Sequence, residues 1–175
     1  MDGSKLIACI CEGTAERVII NKLLDEDRLI FSREELLDEE VLKCRNAKIF
    51  QDRYLGKGFK QEITVYRILD SRRENFKLSN AYKNKVDVIN VITAPEIEML
   101  VIINEGKYKD YQKYKSIIKP SDYCINNLKM PDVKNFEFIN MYFQGINMLV
   151  NAIKQYKELA KIHKDELCLA DILKA

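Results

Sequence analysis

Carboxylates stand at the ends of three apolar runs in this chain. Glu12 follows "LIACIC", Asp70 follows "EITVYRIL", and Glu96 and Glu98 come just after "VDVINVIT" and Ala94-Pro95. If each run is a buried strand of a parallel sheet, the strand ends share one edge, and that edge is where α/β proteins bind ligands. Acidic side chains gathered there repel one another unless a cation joins them. Hard oxygen ligands of this kind suit Mg²⁺ or Mn²⁺, and such an ion can stabilise both oxygens of a phosphoryl transfer. Each residue also has an ordinary structural reading. Glu-Gly after a strand is a common turn, Asp70 can cap the loop or helix after its strand, and Glu96 can simply favour a helix N-terminus. Two positions apart on a helix, Glu96 and Glu98 face different directions, so at most one of them points into a given site.

The elements that must position these groups are readable from pattern. Residues 5–11 form a continuous apolar run ended by a turn, a buried strand. Thr14 can cap a helix continuing from Arg17 to Leu24, so the chain opens as an α/β unit. "SREELLDEEVLKC" carries a second helix signature, with Ser32 as cap, Glu35 three residues later and a stripe of Leu36, Leu37, Val41 and Leu42. "AKIFQ" reads as a short strand. Residues 62–70, rich in β-branched and aromatic side chains, form the clearest second strand, and a polar loop with a short helix comes next. "VDVINVIT" is the third strand, and "PEIEMLVIINEG" a helix opened by Pro95 and closed near Gly106. From about residue 107 the chain is helical, broken at Pro120 and Pro131, with a long last helix around "GINMLVNAIKQYKELAKI". With no repeat, low-complexity run or linker, residues 1–175 read as a single domain.

Three of these segments resemble those of a known family. "ICEGTAERVIINKLL" is similar to the Glu-Gly strand-turn-helix of TOPRIM domains, and "VYRILDSRREN" to their Asp-bearing strand. "VITAPEIEMLVII" resembles the Ser-Asn-Pro-x-x-Glu segment of the RloB-like branch near the OLD-family nucleases. The resemblance covers roughly residues 6–105. It implies a compact TOPRIM-like α/β domain, a short, mainly parallel sheet flanked by helices, and Mg²⁺- or Mn²⁺-dependent cleavage of nucleic acid, often in phage defence. By the match, Glu12 would be the acid/base or metal-positioning glutamate, Asp70 the main metal ligand, and Glu98 the third-segment glutamate. Two departures stand out: Asp70-Ser71-Arg72 replaces the usual Asp-x-Asp, and Thr93-Ala94-Pro95 replaces Ser-Asn-Pro. Arg72 puts a fixed cation where a ligand is expected.

Candidate contacts for nucleic acid are Arg72 and Arg73, Lys57 in the loop "GKGFK", and Lys109 and Lys113 in the tyrosine-lysine run "KYKDYQKYKSIIK". Such a run is also the usual pattern of half-buried tyrosines with solvated lysines. The net charge of +2 does not announce a nucleic-acid binder, so any contact must be a local patch. Five cysteines without CxxC spacing argue against a disulfide framework or zinc site. The single histidine, His163, far in sequence from the other candidate residues, argues against a Ser-His or Cys-His system and reads as a surface residue. No apolar run is long enough to span a membrane, and no export signal is evident, which points to the cytoplasm. The leading expectation is a metal-dependent nuclease. The alternatives are a catalytically silent module that binds nucleic acid or a protein partner, and a structural subunit or homo-oligomer.

Overall fold

The computed structural model describes residues 6–56 and 62–175. Three apolar runs become strands β1 (Leu6–Cys11), β2 (Ile63–Leu69) and β3 (Val86–Ile92). They form one sheet in the order β1-β2-β3, parallel throughout, with Ala8 beside Val65 and Val65 beside Val88. Side chains alternate across the sheet, so each face has its own core. Cys9, Cys11, Ile68 and Val91 face helix α1 (Thr14–Asp25) and the later helices. Ala8, Ile10, Ile63 and Val65 face Leu37, Leu42, Phe50 and Leu55. Both faces are covered, as parallel sheets require.

The first α/β unit forms as expected, except that Gly13 takes the cap position and Thr14 is already helical. The second helix signature does not become a continuous helix. Its start is present, since Glu35 accepts a hydrogen bond from the Ser32 amide at 2.7 Å. Then Asp38 and Glu39 adopt positive φ, at 57° and 53°, and the chain breaks into two 3₁₀ turns, Arg33–Glu35 and Leu37–Glu39. This lets Leu36 and Leu42 bridge to Ile7 and Ile10 along the outer margin of β1. "AKIFQ" is a correction too. It is the helical turn α2 (Ala47–Phe50), capped by the Asn46 side chain and continued by a π-helical turn at Gln51–Leu55. Between β2 and β3 the expected short helix is a hydrogen-bonded turn over 80–85.

Past β3 the chain passes Pro95 in turns and enters α3 (Met99–Asn104), later than expected. Gly106, at φ 65°, ends it where the sequence placed a C-cap, with the Gly106 and Lys107 amides closing on Ile103 and Ile102. Short helices α4 (Tyr108–Tyr111), α5 (Pro120–Asn126) and α6 (Phe136–Tyr142) precede α7 (Ile146–Leu159), which packs against α3. The tail returns to the sheet. Leu167 accepts from the Ile92 amide at 2.7 Å, and Leu173 bridges to Leu29. No helix among the described residues is long and apolar enough to cross a membrane.

One charge lies inside this framework. Arg67, in the middle of β2, is 1% exposed. Its guanidinium meets Glu74 at 3.1 Å, Glu12 at 3.9 Å and Asn90 at 3.4 Å, and lies 4.6 Å from the Phe76 ring centre. A buried cation of this kind persists only when paired. Replacing it alone strands two acids beside an apolar wall. Arg67→Met is therefore expected to lower unfolding stability in urea by about 3–5 kcal/mol at pH 8. Adding Glu12→Gln and Glu74→Gln should recover most of that loss. A triple variant no more stable than the single one would mean that Arg67 contributes packing and not charge balance.

Candidate active site

The carboxyl ends of the strands do share one edge, but the pleat divides its acids between two faces. Glu12 follows Ala8 and Ile10 on the even-numbered face of β1, the face that also carries Val65 and Arg67 of β2. Asp70 follows Tyr66 and Ile68 on the opposite face. Glu12 therefore points to Arg67, with Arg45 Nε 3.2 Å from its Oε2. Burial, then the neighbouring Glu74 carboxyl, pushes the Glu12 acid up to about 7, against the pull of Arg45 and Arg67. Its Oε1 has no hydrogen-bond partner among the described residues.

Asp70 opens onto a pocket of about 240 Å³ on the α1 face, and four of its described lining residues are acidic: Glu16, Asp70, Glu96 and Glu98. Glu96 and Glu98 both line it, against the expectation that at most one would, because they precede α3 in turns and do not sit two apart on a helix. Lys134 is the one cation among its described lining residues, and Gly13 and Thr14 line it as well. Asp70 and Glu98 are thus brought together as expected; Glu12 is not. Glu16 takes a place in the pocket that the sequence had not singled out. The Glu-Gly turn has a spatial reason here. A Cβ on Gly13 would lie 2.0 Å from Glu16 Oε2, so the missing side chain is the room in which this carboxylate sits. Gly13 itself has an ordinary φ of −92°.

The acids of this pocket are not equivalent. Glu96 is engaged: it accepts from the Ser121 amide at 2.9 Å and lies 3.3 Å from Lys134 Nζ. Burial works against its charge, but Ser121 and Lys134 prevail and hold it below its ordinary value. Glu98 and Glu16, 4% and 8% exposed, have no ion pair and no side-chain hydrogen bond to another residue among those described. Burial, with the charges of Glu96 and Glu16 added, pushes Glu98 up to about 7. Burial also raises Glu16, and Asp70 and Glu96 reinforce the shift. Asp70 is exposed and forms no ion pair among the described residues.

Among the described residues, no group of three or more His, Cys, Asp or Glu is placed to hold a metal ion. The donor set nevertheless fits Mg²⁺ chemically, because Mg²⁺ is usually held by one or two carboxylates plus water and substrate phosphate. Asp70 with Glu98 or Glu16 supplies that number, and Glu98 and Glu16 are buried with no ion pair among the described residues.

The expected cations are scattered. Arg72 Nε donates to Glu166 Oε1 at 2.6 Å, an ion pair spanning 94 residues of sequence. The Arg73 guanidinium is exposed, and Lys57 lies outside the described residues. In the tyrosine-lysine run, Lys109 is exposed and Lys113 pairs with Asp110 at 3.1 Å. Tyr111 is buried and Tyr108 half-buried, so much of the run takes the structural reading. His163 is exposed, and all five cysteines are free and buried. Glu16, Lys134 and Glu166 escaped the sequence reading. Only Glu16 had a local signal, its position three residues after the cap on a helix's first turn.

Comparison with protein-family models finds no match, and comparison with curated proteins and solved structures finds no significant one.

The raised Glu98 value sets a pH dependence. An acid whose folded-state value lies above its ordinary 4.5 gives stability that is full below that ordinary value and lost as pH rises through about 7. Without divalent cations, the unfolding free energy should therefore fall between pH 5 and pH 8, by on the order of 3 kcal/mol for one such buried carboxylate, and the melting temperature with it. Glu98→Gln should flatten that fall and raise the melting temperature at pH 8. An unchanged profile in the variant would assign the titration to another group, Glu12 first.

Proposed function

We propose that the acidic pocket binds Mg²⁺ or Mn²⁺ and that the protein hydrolyses phosphodiester bonds in nucleic acid. The observation that carries this reading is a pair of buried carboxylates, Glu98 and Glu16, with no ion pair among the described residues, lining one pocket with exposed Asp70 at the carboxyl edge of the sheet. Uncompensated acids of this kind cost stability, and a cation removes the cost. The bound ion would supply charge stabilisation to the attacking and leaving oxygens of the phosphate. Asp70, at the solvent side, and Glu98, at the buried side, would hold it. Glu16, which burial raises above the ordinary carboxylate value, is the group offered to take and return a proton. Lys134, anchored on Glu96, can approach a phosphate oxygen. In this arrangement Glu12 is a positioning residue that fixes the turn through Arg67, and Glu16 takes the acid/base role. Five buried free thiols suit a reducing, cytoplasmic setting.

A second reading, a nucleic-acid- or protein-binding module without catalysis, is favoured by Arg72. It stands two residues after Asp70, where a second acid would complete the ligand set, and its Nε pairs with Glu166.

Two measurements separate the readings. Millimolar Mg²⁺ or Mn²⁺ should raise the melting temperature of the wild type, because a ligand of the folded state stabilises by mass action. Asp70→Asn should abolish that rise. Cleavage of single- or double-stranded DNA or RNA should fall by ~10²–10⁴ in Glu16→Gln, the range for losing an acid or base, and little in Glu12→Gln. A wild type with no thermal shift and no cleavage of any of these substrates would leave the binding module as the function.

A further inference from the structure

A second cavity of about 280 Å³ lies beside the acidic pocket, and the segment 94–99 divides the two. Ala94, Pro95 and Met99 line the second cavity, whereas Glu96 and Glu98 line the acidic one. The charge reverses across this wall. Arg72, Lys115 and Lys161 line the second cavity, and none of its described lining residues is acidic. Lys115 and Lys161 are exposed and have no carboxylate partner among the described residues. Arg72 spends one donor on Glu166 and keeps the rest of its fork.

Three tyrosines, Tyr108, Tyr111 and Tyr156, add aromatic surface to the lining, beside aliphatic Leu159 and Ala160. Each hydroxyl is already bonded: Tyr108 donates to Leu159 O at 2.7 Å, Tyr111 to Ile118 O at 3.2 Å and Tyr156 to Ala94 O at 2.5 Å. Their donors are spent, so the rings are fixed and offer the cavity carbon surface. Gln112 adds an amide with both donor and acceptor. The volume lies near the lower end of the ~300–1,000 Å³ range of small-molecule sites, far more than inorganic phosphate needs. An occupant must be anionic at one end and flat and apolar at the other, with polar edges that an amide can read.

We propose that this cavity binds a nucleoside monophosphate unit, its phosphate on Lys115 and Lys161, its base against Tyr108, and its base edge toward Gln112. The unit is either a free nucleotide or a terminal nucleotide of a strand, since both present the same groups. The site stands on its own lining and goes beyond the chemistry proposed for the acidic pocket. A strand held here by one nucleotide would pass the 94–99 wall and bring a neighbouring phosphodiester toward Asp70.

The test is calorimetric titration of the full chain in EDTA, so that metal chemistry plays no part. The probes are AMP, a 5′-phosphorylated single-stranded oligonucleotide and inorganic phosphate. AMP or the oligonucleotide should bind at least tenfold more tightly than inorganic phosphate. Binding of the oligonucleotide alone identifies a strand terminus; comparable binding of both identifies a free-nucleotide site. Lys115→Ala with Lys161→Ala, both at exposed positions, should weaken the tighter probe at least tenfold and reduce its salt dependence. Tyr108→Leu should weaken it while leaving inorganic phosphate unchanged, and Tyr108→Phe should restore it. Glu98→Gln should leave this binding intact, so failure of the acidic pocket as a metal site would not be mistaken for failure here. No binding of either nucleotide probe, equal binding of inorganic phosphate, or affinity unchanged by the lysine pair would overturn the proposal.

Discussion

A guanidinium buried in the middle strand of a parallel sheet constrains everything around it. Arg67 cannot be hydrated there, so its neighbours must supply charge and hydrogen-bond acceptors. They come from three separate places: Glu12 at the end of β1, Asn90 in β3 and Glu74 in the loop after β2. Phe76, from the same loop, lies over the cation. One side chain thereby fixes the turn out of the first strand and draws the polar 71–85 segment onto the sheet. It also determines which acids stay free. Glu12 is taken by this cluster, and Asp70, displaced to the other face by the pleat, is left to the pocket.

The strands, their sequence order and the α/β class were legible because short apolar runs bounded by turn residues leave few other readings. The division of the acids was half legible. Period-two alternation puts Ala8, Ile10 and Glu12 on one face, but only the pairing of Ile10 with Arg67 shows that Asp70 belongs to the other. Register comes from long-range pairing, which no local pattern carries. The same limit explains the elements that differ. Residues 47–51 contain an isoleucine and a phenylalanine, but the Asn46 cap favours a helical turn. Ser32 and Glu35 make a real helix start, yet Leu36 and Leu42 are worth more against β1 than in a helix, and Asp38 and Glu39 adopt positive φ to deliver them. The resemblance pointed to Glu98, which lines the acidic pocket; Glu16 lines it too but drew no attention, because Gly13 read as a turn residue when it also leaves the space this carboxylate fills.

The wall between the two cavities is held from both sides. Thr93 returns its amide and hydroxyl to Leu69 O at 2.7 and 3.0 Å, Tyr156 donates to Ala94 O, and Glu96 is tied to Ser121. A segment so restrained keeps cavities of opposite sign at a fixed spacing. Preorganisation of that kind lets charged groups act without first having to be ordered.

The tail that meets Ile92 and Leu29 has a consequence for how the chain is made. Synthesis runs from the N-terminus, yet residues 28–30 are completed only by Ile172, Leu173 and Lys174, and the outer margin of β3 waits for Leu167. Until those residues clear the ribosome, the backbone groups they satisfy stay open and the main core lacks Leu169 and Ile172. Before the tail folds back, the sheet and the 28–30 segment share one open seam. Closure depends on contacts between residues more than 140 positions apart, such as Leu29 with Leu173, the long-range class that folding reaches most slowly.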